Sequence, residues 1–81
     1  MTIELTIGER IDEYHNVQTM LTRTPAGSQP HAQASADLEW MRPALTVAMV
    51  AEGITEARTR TATATLDEYG HLTVEKYEVA L

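Results

Sequence analysis

Asp12 and His15 are the side chains in this 81-residue chain whose types and spacing best suit chemistry. Three residues apart on a predicted helix, they share a face and can approach a common ligand. A carboxylate beside an imidazole can transfer a proton or help to bind a metal ion. Zinc needs at least three protein ligands, and no route brings His31 or His71 to this pair. We therefore interpret the pair as part of a solvated polar helix face, and keep a small metal-dependent or acid–base enzyme as a further alternative.

The remaining residues assemble no other catalytic group. The chain has no cysteine, which excludes a thiolate nucleophile and a cysteine-based metal site. Neither Ser28 nor Ser35 lies in a Gly-x-Ser-x-Gly turn, and the four glycines form no phosphate-binding loop. The sequence therefore predicts a protein that is not an enzyme, with no catalytic residue, no cofactor and no metal ligand.

The charge of the chain bears on its partners. The formal net charge is −6, and Lys76 is the only lysine. Phosphate backbones are bound by clustered Lys and Arg, so no direct contact with nucleic acid is expected. An acidic inhibitor or adaptor that mimics nucleic acid on a basic partner is the alternative. Its candidate contacts are Glu9, Asp12, Glu13, Glu68 and Glu75.

The N-terminal residues carry no signal-peptide pattern, because they lack a basic start and glutamates interrupt the apolar positions. No apolar run reaches the roughly 18 residues that span a bilayer. We expect a cytoplasmic or virion-associated protein with no membrane partner.

The first predicted helix covers residues 8–22. Thr6 followed by Glu9 has the form of a capping box, which satisfies free amide groups at a helix start. An apolar stripe at helical spacing follows it. Before the helix, Ile3 and Leu5 alternate with polar residues, which favours a short strand over the alternative of an additional helical turn.

The second predicted helix covers residues 30–51, after a loop at 23–29. Ser28 can cap its start and Gly53 can end it. Pro43 lies in the middle, so we expect a kink there.

This second helix carries two apolar stripes. One consists of Leu38, Met41, Leu45 and Met49. The other, roughly opposite, consists of Trp40, Val47 and Val50. A surface helix needs one such stripe, and a chain of 81 residues has little material with which to bury two.

Residues 54–66 and 71–80 are predicted to form a β-hairpin. Asp67 and Gly70 suit a type I turn with a three-residue loop, and this register pairs Leu66 with Leu72 and Ala64 with Val74. One face is then apolar. The other carries Thr59, Thr61, Thr63, Thr65, Tyr77, Val79 and Leu81. Neither face is wholly polar, and a lone hairpin is marginal in water.

Together these elements predict one α+β domain over residues 1–81. Two helices, the second kinked at Pro43, pack on a C-terminal antiparallel hairpin that a strand at Ile3–Leu5 can extend. The function predicted is that of an interaction or structural protein, such as a phage or bacterial accessory component. It is expected to form a homo-oligomer or to dock into a larger assembly. The predicted contact residues are Trp40, Val47, Val50, Tyr77 and Val79.

Overall fold

The computed structural model describes residues 6–76. Two helices are followed by a three-stranded antiparallel sheet with strand order β1-β2-β3, which confirms the α+β class. The elements are α1 (Ile7–Arg23), α2 (Gln29–Glu52), β1 (Glu56–Arg58), β2 (Ala62–Leu66) and β3 (Leu72–Lys76). The strand expected at Ile3–Leu5 lies outside the described residues.

Helix α1 begins at the predicted capping box. The Thr6 hydroxyl accepts a hydrogen bond from the Glu9 amide at 3.1 Å, and the Glu9 carboxylate accepts one from the Thr6 amide at 3.3 Å. These two bonds satisfy amide groups that have no partner inside the helix. The helix extends one residue further at each end than the sequence predicted.

Helix α2 also begins and ends where its capping residues predict, to within one residue. The Ser28 hydroxyl accepts a hydrogen bond from the His31 amide at 3.3 Å. Gly53 adopts the left-handed conformation, with φ at +69°, and ends the helix. The helix continues without a break through Pro43; the kink at this proline remains a prediction. Although α2 has 24 residues, no helix within residues 6–76 is long and apolar enough to cross a membrane.

The predicted first arm of the hairpin, residues 54–66, is two strands and not one. The chain reverses after β1, and β1 pairs with β2 so that Ala57 faces Ala64. The Thr59 hydroxyl holds this turn by accepting hydrogen bonds from the amides of Thr61, at 3.2 Å, and Ala62, at 3.0 Å. A threonine hydroxyl replaces the Gly, Pro, Asn or Asp that would have signalled a turn in the sequence.

The hairpin of β2 and β3 has the predicted loop and register. Gly70 donates to the Asp67 carbonyl at 3.0 Å and has φ at +79°, which favours glycine. Leu66 pairs with Leu72 and Ala64 pairs with Val74, as expected. Matching apolar residues across the strands was therefore a sufficient guide to the register.

The helices cover one face of the sheet, and this side contains the core. The buried cluster consists of Ile11, Tyr14, Leu45, Met49, Ala62, Ala64, Leu72 and Val74. The expected mixed character of the opposite face stays a prediction. Thr59 and Thr61 belong to the β1–β2 turn, and the strand residues that face outward are threonine or charged. The apolar members expected there, Tyr77, Val79 and Leu81, lie outside the described residues.

We predict that Thr59→Val destabilises the fold by about 1–2 kcal/mol, because two amide groups in the β1–β2 turn lose their acceptor. The measurement is the urea midpoint of unfolding, followed by Trp40 fluorescence. Thr65→Val is the matched control. Its hydroxyl lies on the exposed sheet face, and its change should stay within about 0.5 kcal/mol. Equal midpoints for the two variants would show that Thr59 does not hold the turn.

Candidate interaction surface

The two apolar stripes of α2 have opposite environments. Leu45 and Met49 of the first stripe are 2% and 0% exposed and belong to the core. Trp40, Val47 and Val50 of the second stripe are 61%, 67% and 61% exposed. No residue within 6–76 therefore buries the second stripe.

Arg42 fixes which way this second stripe points. Its guanidinium donates to the Leu72 carbonyl at 2.8 Å and lies 3.2 Å from the ring nitrogens of His71, so Arg42 projects onto β3. Helical residues are offset by about 100° each, so Trp40 projects from α2 roughly 200° away from Arg42. The indole consequently points away from the sheet.

Several smaller residues extend the exposed apolar surface around the second stripe. At about 100° per residue, Ala36, Pro43 and Ala51 lie within roughly 60° of Val47 on the helix, and all three are exposed. We call this surface the outer face of α2. It consists of Ala36, Trp40, Pro43, Val47, Val50 and Ala51, and it contains no charged residue.

The Trp40 indole is held in place within its own chain. Its Nε1 donates to Asp37 Oδ1 at 3.3 Å, and the Gln33 side-chain amide donates to the same oxygen at 3.0 Å. The only polar atom of the indole is thereby satisfied. A partner can cover the ring without leaving a buried donor unpaired, which would otherwise cost about 1–3 kcal/mol.

A shallow groove runs between the outer face and α1. It has a volume of about 60 Å³ and is lined by Arg10, Glu13, Trp40, Met41, Ala44 and Leu45. Drug-sized ligands occupy pockets of roughly 300–1,000 Å³, so this groove suits one side chain of a partner. Arg10 and Glu13 place one positive and one negative charge at its edge.

Comparison with known proteins found no matching family model, no matching curated protein and no matching solved structure.

Trp40, Val47 and Val50 share one face, as the sequence predicted, whereas Tyr77 and Val79 lie outside the described residues. The helical spacing of Ala36, Pro43 and Ala51 was a signal that could have placed them on the same face. Arg10 and Glu13 were not identified as groove residues, because their position depends on how α1 packs against α2.

Asp12 contacts the β1–β2 turn. Its carboxylate accepts a hydrogen bond from the Thr61 hydroxyl, so it links α1 to the sheet. Hydrogen bonding from Thr59 and Thr61 lowers the pKa of Asp12, and the nearby His15 lowers it further, while partial burial opposes the change. Among residues 6–76 no group of three or more His, Cys, Asp or Glu could hold a metal ion.

The acidic residues considered for a basic partner lie on three elements of the fold. Glu9 caps α1, Asp12 contacts the β1–β2 turn and Glu13 lines the groove. Glu68 lies in the β2–β3 loop, and Glu75 is an exposed residue of β3. Glu9, Asp12 and Glu13 lie within about one turn of each other on α1, and Glu68 and Glu75 lie on other elements.

Asp12 predicts a pH dependence of stability. The pKa of Asp12 is lowered below its ordinary value of 3.8 on folding, so ionised Asp12 stabilises the fold above that pH. The stabilisation is lost as the pH falls through the lower, folded-state pKa. Wild type should therefore be more stable than Asp12→Asn at pH 7, and the difference should disappear in strong acid.

The measurement is urea unfolding of both proteins across this pH range. The control is Thr61→Val in each background, which removes the hydroxyl that Asp12 contacts. The Asp12→Asn effect should be smaller when Thr61 is replaced. A difference between wild type and Asp12→Asn that did not vary with pH would contradict this assignment.

Proposed function

We propose that this protein is a non-enzymatic interaction or structural protein, and that it self-associates or docks into a larger assembly through the outer face of α2. The observation that supports this is the exposure of Trp40, Val47 and Val50 together on one uncharged helix face. Single exposed apolar residues are ordinary, but a contiguous apolar patch on a small protein is typical of an interaction site.

The energetics limit what the outer face alone can contribute to binding. Covering the exposed parts of one tryptophan and two valines is worth on the order of 6–8 kcal/mol at about 25 cal/mol per Å². Association itself costs roughly 4–15 kcal/mol, because the two molecules lose translational and rotational freedom. The two terms are comparable, so burial of these three side chains alone does not give stable binding, and the complex needs further contacts around the outer face.

Trp40 is also the residue type best suited to anchor an interface. Tryptophan is enriched among the residues that contribute most of the binding free energy at interfaces. A side chain whose rotamer is already fixed also loses less conformational entropy on binding. Here Asp37 holds the indole by a hydrogen bond before any partner arrives. The proposal therefore assigns Trp40 the largest share of the binding energy.

We predict that Trp40→Ala weakens self-association at least about tenfold, because truncation of an anchor residue costs more than about 1.4 kcal/mol. Sedimentation velocity over a concentration series measures the dissociation constant. The matched control is Tyr69→Ala, which removes an aromatic residue that is 87% exposed in the β2–β3 loop. It should leave association unchanged.

Trp40 is mostly exposed in the monomer, so circular dichroism and the urea midpoint of Trp40→Ala should match those of wild type. The proposal would be wrong if wild type stayed monomeric near 500 µM and Trp40→Ala captured the same proteins as wild type from the lysate of its host. Loss of association in Tyr69→Ala but not in Trp40→Ala would also contradict it.

Ionic strength separates this proposal from the acidic adaptor. Two copies that each carry a net charge of −6 repel one another, so added salt should maintain or strengthen self-association through an apolar face. The measurement is the dissociation constant at about 50 and 500 mM sodium chloride. Binding to a basic protein that falls steeply over this range, without self-association, would favour the adaptor instead.

A further inference from the structure

We infer that the occupant of the outer face of α2 is the same face of a second copy. The two α2 helices would run antiparallel about a two-fold axis that passes between Pro43 and Ala44. This inference rests on the proposed function and specifies the partner, a second copy, and the geometry, an antiparallel pair of α2 helices. A two-fold interface uses the same surface of both copies. Each contact between two different residues therefore occurs twice.

Four of the six residues of the outer face are arranged symmetrically about this point in the sequence, whereas Pro43 and Val50 have no counterpart within the face. An axis between Pro43 and Ala44 places Trp40 opposite Val47, and Ala36 opposite Ala51. The large indole thus meets a smaller aliphatic side chain, and the small Ala44 near the axis allows the helices to approach closely. The span from Ala36 to Ala51 is about 22 Å at 1.5 Å per residue, long enough for a helix-to-helix contact.

Charges of both signs beside the outer face allow reciprocal contacts with a second copy. The outer face has no charged residue, and the groove beside it carries one Arg and one Glu. The Asp37 carboxylate that holds Trp40 adds one negative charge beside the outer face, on a chain whose net charge is −6. In an antiparallel pair related by a two-fold axis in the plane of contact, the two grooves lie on the same side. Arg10 can then approach the partner's Glu13, and the reverse contact follows by symmetry.

The layers of the fold point to the same arrangement. The sheet covers one side of the helical layer, and both Asp12 of α1 and Arg42 of α2 contact it. The other side of the helical layer carries the exposed Trp40. A second copy placed there gives the layer order sheet, helices, helices, sheet, in which each helix is packed on two sides.

Disulfide trapping tests this geometry, and the absence of cysteine makes the chain suited to it. We would prepare Ala36→Cys, Ala51→Cys and, as a control in the exposed α1–α2 loop, Ala26→Cys. Each is oxidised alone and in equimolar mixtures near the dissociation constant, and covalent dimers are separated by mass. The mixture of Ala36→Cys with Ala51→Cys should give at least about fivefold more heterodimer than either variant gives homodimer, because only that pair falls within disulfide distance.

The outcomes separate the geometry from the proposed function. If Ala36→Cys alone gave as much covalent dimer as the mixture of Ala36→Cys with Ala51→Cys, the helices would be parallel and the antiparallel geometry would be wrong. The proposed function would still stand if association depended on Trp40. Equal yields for all pairs, including Ala26→Cys, would also overturn the geometry. A wild type that does not self-associate would overturn this inference, and the proposed function would then rest on a different partner.

Discussion

The inner face of the sheet is built largely from small residues, and this determines how closely the helices approach it. Ala62 and Ala64 of β2 are fully buried in the core. The backbone of α1 is also close, because a Cβ added at Gly8 would lie 3.8 Å from the Thr59 methyl group. Close approach compensates for the lack of phenylalanine, since small side chains fill a thin core at the density that interiors require. It also brings Asp12 and Gln18 within hydrogen-bonding distance of the sheet.

Side chains from both helices also occupy the edge of the sheet. Arg42 of α2 donates to the Leu72 carbonyl, and Gln18 of α1 donates to the Val74 carbonyl at 3.3 Å. Strand β1, at the opposite edge, is three residues long and carries an exposed Glu56–Arg58 ion pair at 3.0 Å. Short strands, charges and covered carbonyl groups all disfavour the addition of another strand. These features make the outer face of α2 a better candidate for association than either sheet edge.

The parts of the fold that sequence reasoning predicted are those set by local rules. The Thr6–Glu9 capping box, the Gly53 helix end and the Asp67–Gly70 loop each depend on residues within four positions of one another. The turn at Thr59 was missed because it is held by a hydroxyl that is equally suited to a strand. The contact between Asp12 and Thr61 joins residues 49 positions apart, and the groove at Arg10 depends on helix packing. Neither has a local signature in the sequence.

The outer face of α2 follows from the same geometry as the core. A sheet of three short strands can cover one side of two helices, and the second stripe of α2 lies on the other side. Repeated negative charge elsewhere on the chain opposes non-specific aggregation, because copies that approach in most orientations repel one another. The outer face carries no charged side chain of its own and offers apolar surface that a partner can bury. The proposed association therefore uses this one surface, where a hydrogen bond from the Trp40 indole to Asp37 fixes the ring before binding.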